Sequence, residues 1–175
     1  PGVAAIQLDI DPEELGRYYP LKAALLGDAK VTLQKLIAAA ASAGSRPEWV
    51  GRVQSLVREY REESDQMRSS GVVPIRPERI CKEISDWLPE GGVVLSDTGH
   101  SGMWTGQMIR LTRPGQRFIR CAGSLGWGFP ATLGAKCALP DRPVIGFCGD
   151  GGFYYHLAAL ETAAPFGVVT VKLGN

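Results

Sequence analysis

The chain has 175 residues, 45% hydrophobic and 21% charged, with 19 basic and 18 acidic residues for a net charge of +1. This ordinary globular composition excludes disorder, collagen-like repeats and a coiled coil. The near-neutral charge, without a Lys/Arg cluster, argues against a nucleic-acid footprint, and no apolar run is long enough for a membrane span.

Val3–Ile10 is β-branched and alternating, which predicts a strand. Asp11, Pro12 and Glu14 then form a helix-start signal, with an Asp cap, Pro at the first helical position and Glu three residues after the cap. A short helix is expected there, ending near Gly16. Ala23–Gly27 is a second short strand. Asp28 caps a helix over 29–43, whose apolar positions Val31, Leu33, Leu36, Ile37 and Ala40 recur at helical spacing. Residues 47–68 begin with Pro, are dense in charge and carry one apolar stripe through Val50, Val53, Leu56, Val57 and Tyr60. They predict an amphipathic surface helix whose charges are a solvated face. Ser69-Ser70-Gly71 breaks it, and residues 72–77 are an extended linker.

From there the rhythm is strand, turn, helix. A helix over 78–87 precedes a strand over 93–97, the turn Thr98-Gly99-His100 and a helix to about Ile109. A strand over 117–120 leads into the turn Gly123-Ser124-Leu125-Gly126 and a helix to about Cys137. A buried strand over 143–148 runs into Gly149-Asp150-Gly151-Gly152 and a helix to about Ala164; a last strand covers 168–173. Such alternation predicts an α/β fold, a parallel sheet with helices on both faces. Ligands of these sheets bind beyond the C-terminal ends of the strands. Three turns at that edge carry glycine.

The residue distribution points the same way. Sixteen of the 22 glycines lie in residues 91–175, and that half holds 7 basic against 4 acidic residues, where residues 1–90 hold 12 against 14. An anionic ligand is therefore expected in the C-terminal half. Cys81, Cys121, Cys137 and Cys148 include no C-x-x-C pair, so small buried hydrophobes in a reducing, cytoplasmic compartment are expected. The sharpest motif is Gly149-Asp150-Gly151-Gly152. Glycines allow close backbone approach, and a following helix start offers N–H groups to a phosphate. Asp150 beside a phosphate needs a cation between them, and Mg²⁺ fits oxygen ligands of both kinds. An Asp N-cap on a glycine turn explains the same four residues equally well. The chain lacks G-x-G-x-x-G at its first turn, an acidic ribose partner about 20 residues on, and any G-K-[ST].

Three ordered blocks, SDTGHSGMW at 96–104, GSLGWGFPATLGAK at 123–136 and RPVIGFCGDGGFYYHLAALETA at 142–163, followed by VVTVKLGN at 168–175, resemble the thiamine-diphosphate enzymes of the acetolactate synthase and 2-oxo-acid decarboxylase branch. The N-terminal stretch resembles the end of that family's central domain. The resemblance implies three parts: 1–44 as the end of a central domain, 45–76 as linker helix and linker, and 77–175 as the start of a truncated thiamine-diphosphate-binding fold. It implies thiamine diphosphate and Mg²⁺ as cofactors, with Asp150 as a metal ligand and Gly149, Gly151 and Gly152 meeting the diphosphate. Gly99 and His100 would contact it from the other side, and His100 can donate a hydrogen bond. Gly123, with Ser124, would hold the aminopyrimidine through its carbonyl, and Leu125 would wedge the cofactor into a bent shape. The family ends its motif in Asn-Asn, whereas this chain reads Gly174-Asn175. The segment is about two residues short, with the deletion expected near 165–169, and Asn175 stands for the second metal ligand.

The implied activity is decarboxylation and carboligation of 2-oxo acids, as a transferase or lyase. The activating glutamate would come from a separate domain, usually of a partner subunit in a homodimer or homotetramer. Glu161, well into its helix, is structural, so no catalytic acid or base is assigned. The Pro-Gly start and the end inside an apolar run lead to the expectation of a piece of a larger enzyme, inactive alone. Two other classes compete: a Rossmann-like nucleotide-binding domain, and a non-catalytic interaction module derived from the enzyme.

Overall fold

A computed structural model describes residues 2–41 and 44–174. The chain forms two compact units, divided at Val53/Gln54. No helix among the described residues is long and apolar enough to cross a membrane.

The first unit holds strands β1 (Ala5–Asp9) and β2 (Leu21–Leu26). They pair in parallel, with Asp9 opposite Leu26. Helix α1 (Ala29–Ala40) follows, its first turn closed by the Asp28 carboxylate accepting from the Val31 N–H at 2.9 Å. Residues 42 and 43 of the expected helix lie outside the described residues. The helix expected at 11–16 does not form; the segment is a run of turns. Gln7 explains the difference. Its amide nitrogen donates to the Glu14 carbonyl at 2.9 Å and its oxygen accepts from the Gly16 N–H at 3.0 Å, so one strand side chain engages backbone groups at the end of the would-be helix. Asp11 caps only a local turn, accepting from the Glu13 N–H.

Helix α2 (Pro47–Arg68) spans the boundary, with Pro at its first position. The second unit adds α3 (Pro77–Trp87), β3 (Val93–Ser96), α4 (His100–Met108), β4 (Arg117–Arg120), α5 (Gly128–Ala138), β5 (Val144–Gly149), α6 (Asp150–Tyr154), a 3₁₀ turn (Leu157–Ala159), α7 (Leu160–Phe166) and β6 (Val169–Leu173). The strands form one parallel sheet in the order β4-β3-β5-β6. Alternation along each strand splits the core between the two faces. Val94, Ile145 and Phe147 pack with Cys81, Ile84, Leu88 and Met108 of α3 and α4. On the other face Val93, Leu95 and Val144 meet the α5 side, and Cys148 packs with Phe129, Leu133 and Ala163. This is the expected α/β arrangement.

The single helix expected after Gly152 is instead broken into α6, the 3₁₀ turn and α7. His156 leaves helical geometry (φ −132°, ψ 36°), and its N–H reaches back only three residues, to Phe153 at 3.2 Å. The expectation of four buried cysteines also needs correction. Cys81 and Cys148 are fully buried, but Cys137 is exposed and Cys121 half-buried.

Candidate functional site

From β3 the chain crosses to β4 on one side of the sheet; from β5 it crosses to β6 on the other. The strand order therefore reverses between β3 and β5, where a crevice opens at the C-terminal ends. A cleft of about 540 Å³ lies there. Thr98, Gly99, His100 and Ser101 follow β3 into it, Gly149 ends β5 and Asp150 to Gly152 follow, and Leu173 ends β6 with Gly174 after it. Leu125 lines it from the turn before α5, and Pro74, Ile75 and Pro77 from the linker.

Of the residues singled out in the sequence, seven meet in this cleft: Gly99, His100, Leu125, Gly149, Asp150, Gly151 and Gly152. Gly123 and Ser124 do not line it. Gly123 lies beside it, its N–H donating to the Thr98 hydroxyl at 3.3 Å, and the Ser124 carbonyl accepts from the Trp127 N–H. Asn175 lies outside the described residues. Leu125 is 50% exposed, an apolar side chain left facing the cleft rather than the core. The His100 ring stands 5.5 Å from that of Trp104, which also lines the cleft. Glu161 is exposed on α7 and is not among the lining residues.

The residue that builds the site was not singled out in the sequence. Asp97, immediately after β3, is 0% exposed. Its Oδ1 accepts from its neighbour Thr98 N–H at 2.7 Å, and both oxygens sit 3.1 Å from the Gly126 nitrogen. A Cβ on Gly152 would lie 2.3 Å from Asp97 Oδ2, so the turn after β5 presses directly on the carboxylate. One buried acid thus ties the three glycine turns together. Gly126 adopts φ +90°, which turns its N–H toward Asp97 in a conformation other residues avoid. The available signal was a carboxylate ending an apolar strand, because a buried charge needs fixed partners. Below it, Thr105 donates to the Ser96 hydroxyl or to the Ser101 carbonyl, both 2.7 Å away.

Asp150 itself is exposed, and its Oδ1 accepts from the Gly151 N–H at 2.8 Å. Among the described residues no three His, Cys, Asp or Glu side chains gather in metal-binding proximity. A cation here would need ligands beyond side chains of these four types. Space for a ligand is present: Gly99, Gly123 and Gly151 would each set a Cβ in open volume.

Beneath the turn, burial pushes the Cys148 thiol up to about 12, helped by the Asp97 carboxylate, and burial pushes Cys81 up to about 12 as well. Both thiols stay neutral in the fold through pH 10, whereas an unfolded cysteine ionises near 8.5. The unfolded state therefore holds fewer protons above pH ~9, and stability falls as pH rises from there toward 12. Thiol labelling at pH 8 is expected to modify Cys137 first and to reach Cys81 and Cys148 only on unfolding. Rapid labelling of all four in the folded protein would contradict this burial.

Residues 97–173 match the family described as thiamine pyrophosphate enzyme, C-terminal TPP binding domain. The chain is 31% identical to a probable acetolactate synthase large subunit of Methanocaldococcus jannaschii, over 98% of this chain and 30% of that protein. It is 33% identical to a benzoylformate decarboxylase of Pseudomonas aeruginosa, over 97% of this chain and 30% of the relative. It is 32% identical to the acetolactate synthase isozyme 2 large subunit of Escherichia coli, over 93% and 28%. The chain therefore spans about three-tenths of the length of these curated relatives.

Proposed function

We propose, from the premise that this chain belongs to the thiamine-diphosphate-dependent enzyme family in its acetolactate synthase and 2-oxo-acid decarboxylase branch, that it anchors the diphosphate of the cofactor in an enzyme acting on 2-oxo acids. The observation that carries this reading is the cleft at the strand-order reversal, where open volume over Gly99 and Gly151 meets one exposed carboxylate, Asp150. The backbone of Gly149, Gly151 and Gly152 would face the diphosphate from one side, and Gly99 with His100 from the other. Asp150 would bring Mg²⁺ to the phosphate oxygens, with Asn175 as its expected companion ligand. The Gly123 carbonyl, with Ser124 beside it, would orient the pyrimidine end, and the half-exposed Leu125 would press the cofactor into its bent shape.

When bound, thiamine diphosphate supplies the electron sink for cleavage next to the carbonyl of a 2-oxo acid. This chain's residues bind and orient it, and none of them is assigned to proton transfer. The activating acid belongs to a second domain, from a partner subunit in a homodimer or homotetramer. The proposed organisation keeps 1–44 as the end of a central domain, 45–76 as linker and 77–175 as cofactor domain. The names of the relatives support decarboxylation and carboligation alike, hence a transferase or a lyase. The free cysteines support a reducing, cytoplasmic setting.

The test is calorimetric titration of the full-length protein with thiamine diphosphate, once with Mg²⁺ and once with a chelator. Saturable binding at one site per chain, tightened by Mg²⁺, is expected. Absence of binding under both conditions would remove the reading.

A further inference from the structure

An aromatic pair stands in the wall of the cleft on the α4 side. His100 is the first residue of α4, is exposed and lines the cleft. Trp104 follows four residues on, which in a helix places it one turn further along the same face. It lines the cleft as well. The two ring centroids are 5.5 Å apart and the ring planes lie 31° from parallel. The partners differ in how they are held. The indole is half-buried and packs against the core shared with α3 and α4. The imidazole has no such footing. Nearby hydrogen bonds join Thr98 to Asp97 and to Gly123, and Thr105 to Ser101, and among the described residues none reaches the His100 ring. Its contact with Trp104 is through ring surface, so both ring nitrogens stay free for a ligand.

An exposed side chain that must be ordered before it can donate loses part of its bond to that ordering. A ring already resting on a fixed neighbour has less freedom to give up. Tilted aromatic pairs at this separation attract each other beyond the area they bury. We propose that Trp104 is a positioning residue for the phosphate end of the cleft: its indole, fixed by the core, holds the His100 ring at the wall, ready to donate to the diphosphate. This rests on the cofactor reading above, in which His100 contacts the diphosphate, and adds the residue that prepares that contact. Trp104 acts through His100, so removing the indole should matter only while His100 is present.

The experiment is a double-mutant cycle on the full-length protein, with wild type, Trp104→Met, His100→Ala and the pair combined. Methionine refills much of the indole's volume with a flexible chain that cannot hold a ring in place. Affinity for thiamine diphosphate is measured by calorimetry in excess Mg²⁺, with circular dichroism and a thermal melt confirming each fold. Trp104→Met is expected to weaken binding about three- to tenfold, the range of one immobilised side chain. In the His100→Ala background the same substitution is expected to change affinity by less than about twofold. Trp104→Phe, which keeps an aromatic plate, is expected to stay within about twofold of wild type. A loss as large without His100 as with it, or no loss in either background, overturns the proposal while leaving the cofactor reading intact. A crystal structure of the wild-type protein with thiamine diphosphate and Mg²⁺ tests it without a variant. The His100 ring is expected to stay on the indole with one nitrogen within hydrogen-bond distance of a phosphate oxygen, and a ring swung away from Trp104 overturns the proposal. A wild-type protein that binds no thiamine diphosphate overturns both readings.

Discussion

Gly152→Ala is expected to destabilise the fold by about 2–4 kcal/mol, combining overpacking with weakened hydrogen bonds to a charged acceptor. The added methyl carbon would sit 2.3 Å from Asp97 Oδ2 and 3.4 Å from the Gly126 nitrogen. Asp97 cannot retreat, because its oxygens are held by the N–H groups of Thr98 and Gly126 inside a fully buried site. The measurement is a denaturant unfolding curve, in which the midpoint falls while the slope stays constant. Gly151→Ala is the matched control. A Cβ there meets nothing within 4 Å, so its stability should stay within about 0.5 kcal/mol of wild type. Cofactor affinity should nevertheless fall, because the methyl enters ligand space. Equal stabilities of the two variants would show that the turn does not press on Asp97.

Asp150→Ala is expected to remove the response to metal altogether. The wild-type protein should bind thiamine diphosphate more tightly, and melt higher in its presence, when Mg²⁺ is added. In the variant both differences should vanish, because the only carboxylate in the turn is gone. Its stability without ligand should change by no more than about 1 kcal/mol, since Asp150 is exposed and bonds only its own neighbour's N–H at the start of α6. A variant that still gains affinity from Mg²⁺ would place the metal elsewhere.

Periodicity and turn residues made the sheet legible. The strand over 117–120 and the helix over 47–68 run between the expected residues, and three glycine turns at one sheet edge were visible as spacing. What stayed hidden depended on contacts remote in sequence. The helix signal at Asp11-Pro12 was sound locally, but the Gln7 side chain binds the backbone it would have used. The break at His156 had no local breaker, since neither Gly nor Pro interrupts Tyr154–Ala164. Asp97 looked like the end of a strand because its acceptors' partners lie 29 residues away, at Gly126. Likewise the linker residues Pro74, Ile75 and Pro77 carry no chemical signature, and only the fold places them at the rim.

The Asp97 contacts also divide the cleft into parts that can and cannot move. Swinging the turn after β3 or the turn before α5 outward would strip a buried carboxylate of a hydrogen-bond partner, and the turn after β5 packs against the same carboxylate, so the floor behaves as a cooperative piece that is costly to open. Breathing that admits a ligand is left to what this carboxylate does not hold: the Leu125 side chain and the Pro74–Ile75 stretch, both open to solvent. Entry and release are then set at the rim, while the geometry that receives the phosphates stays in place before the ligand arrives.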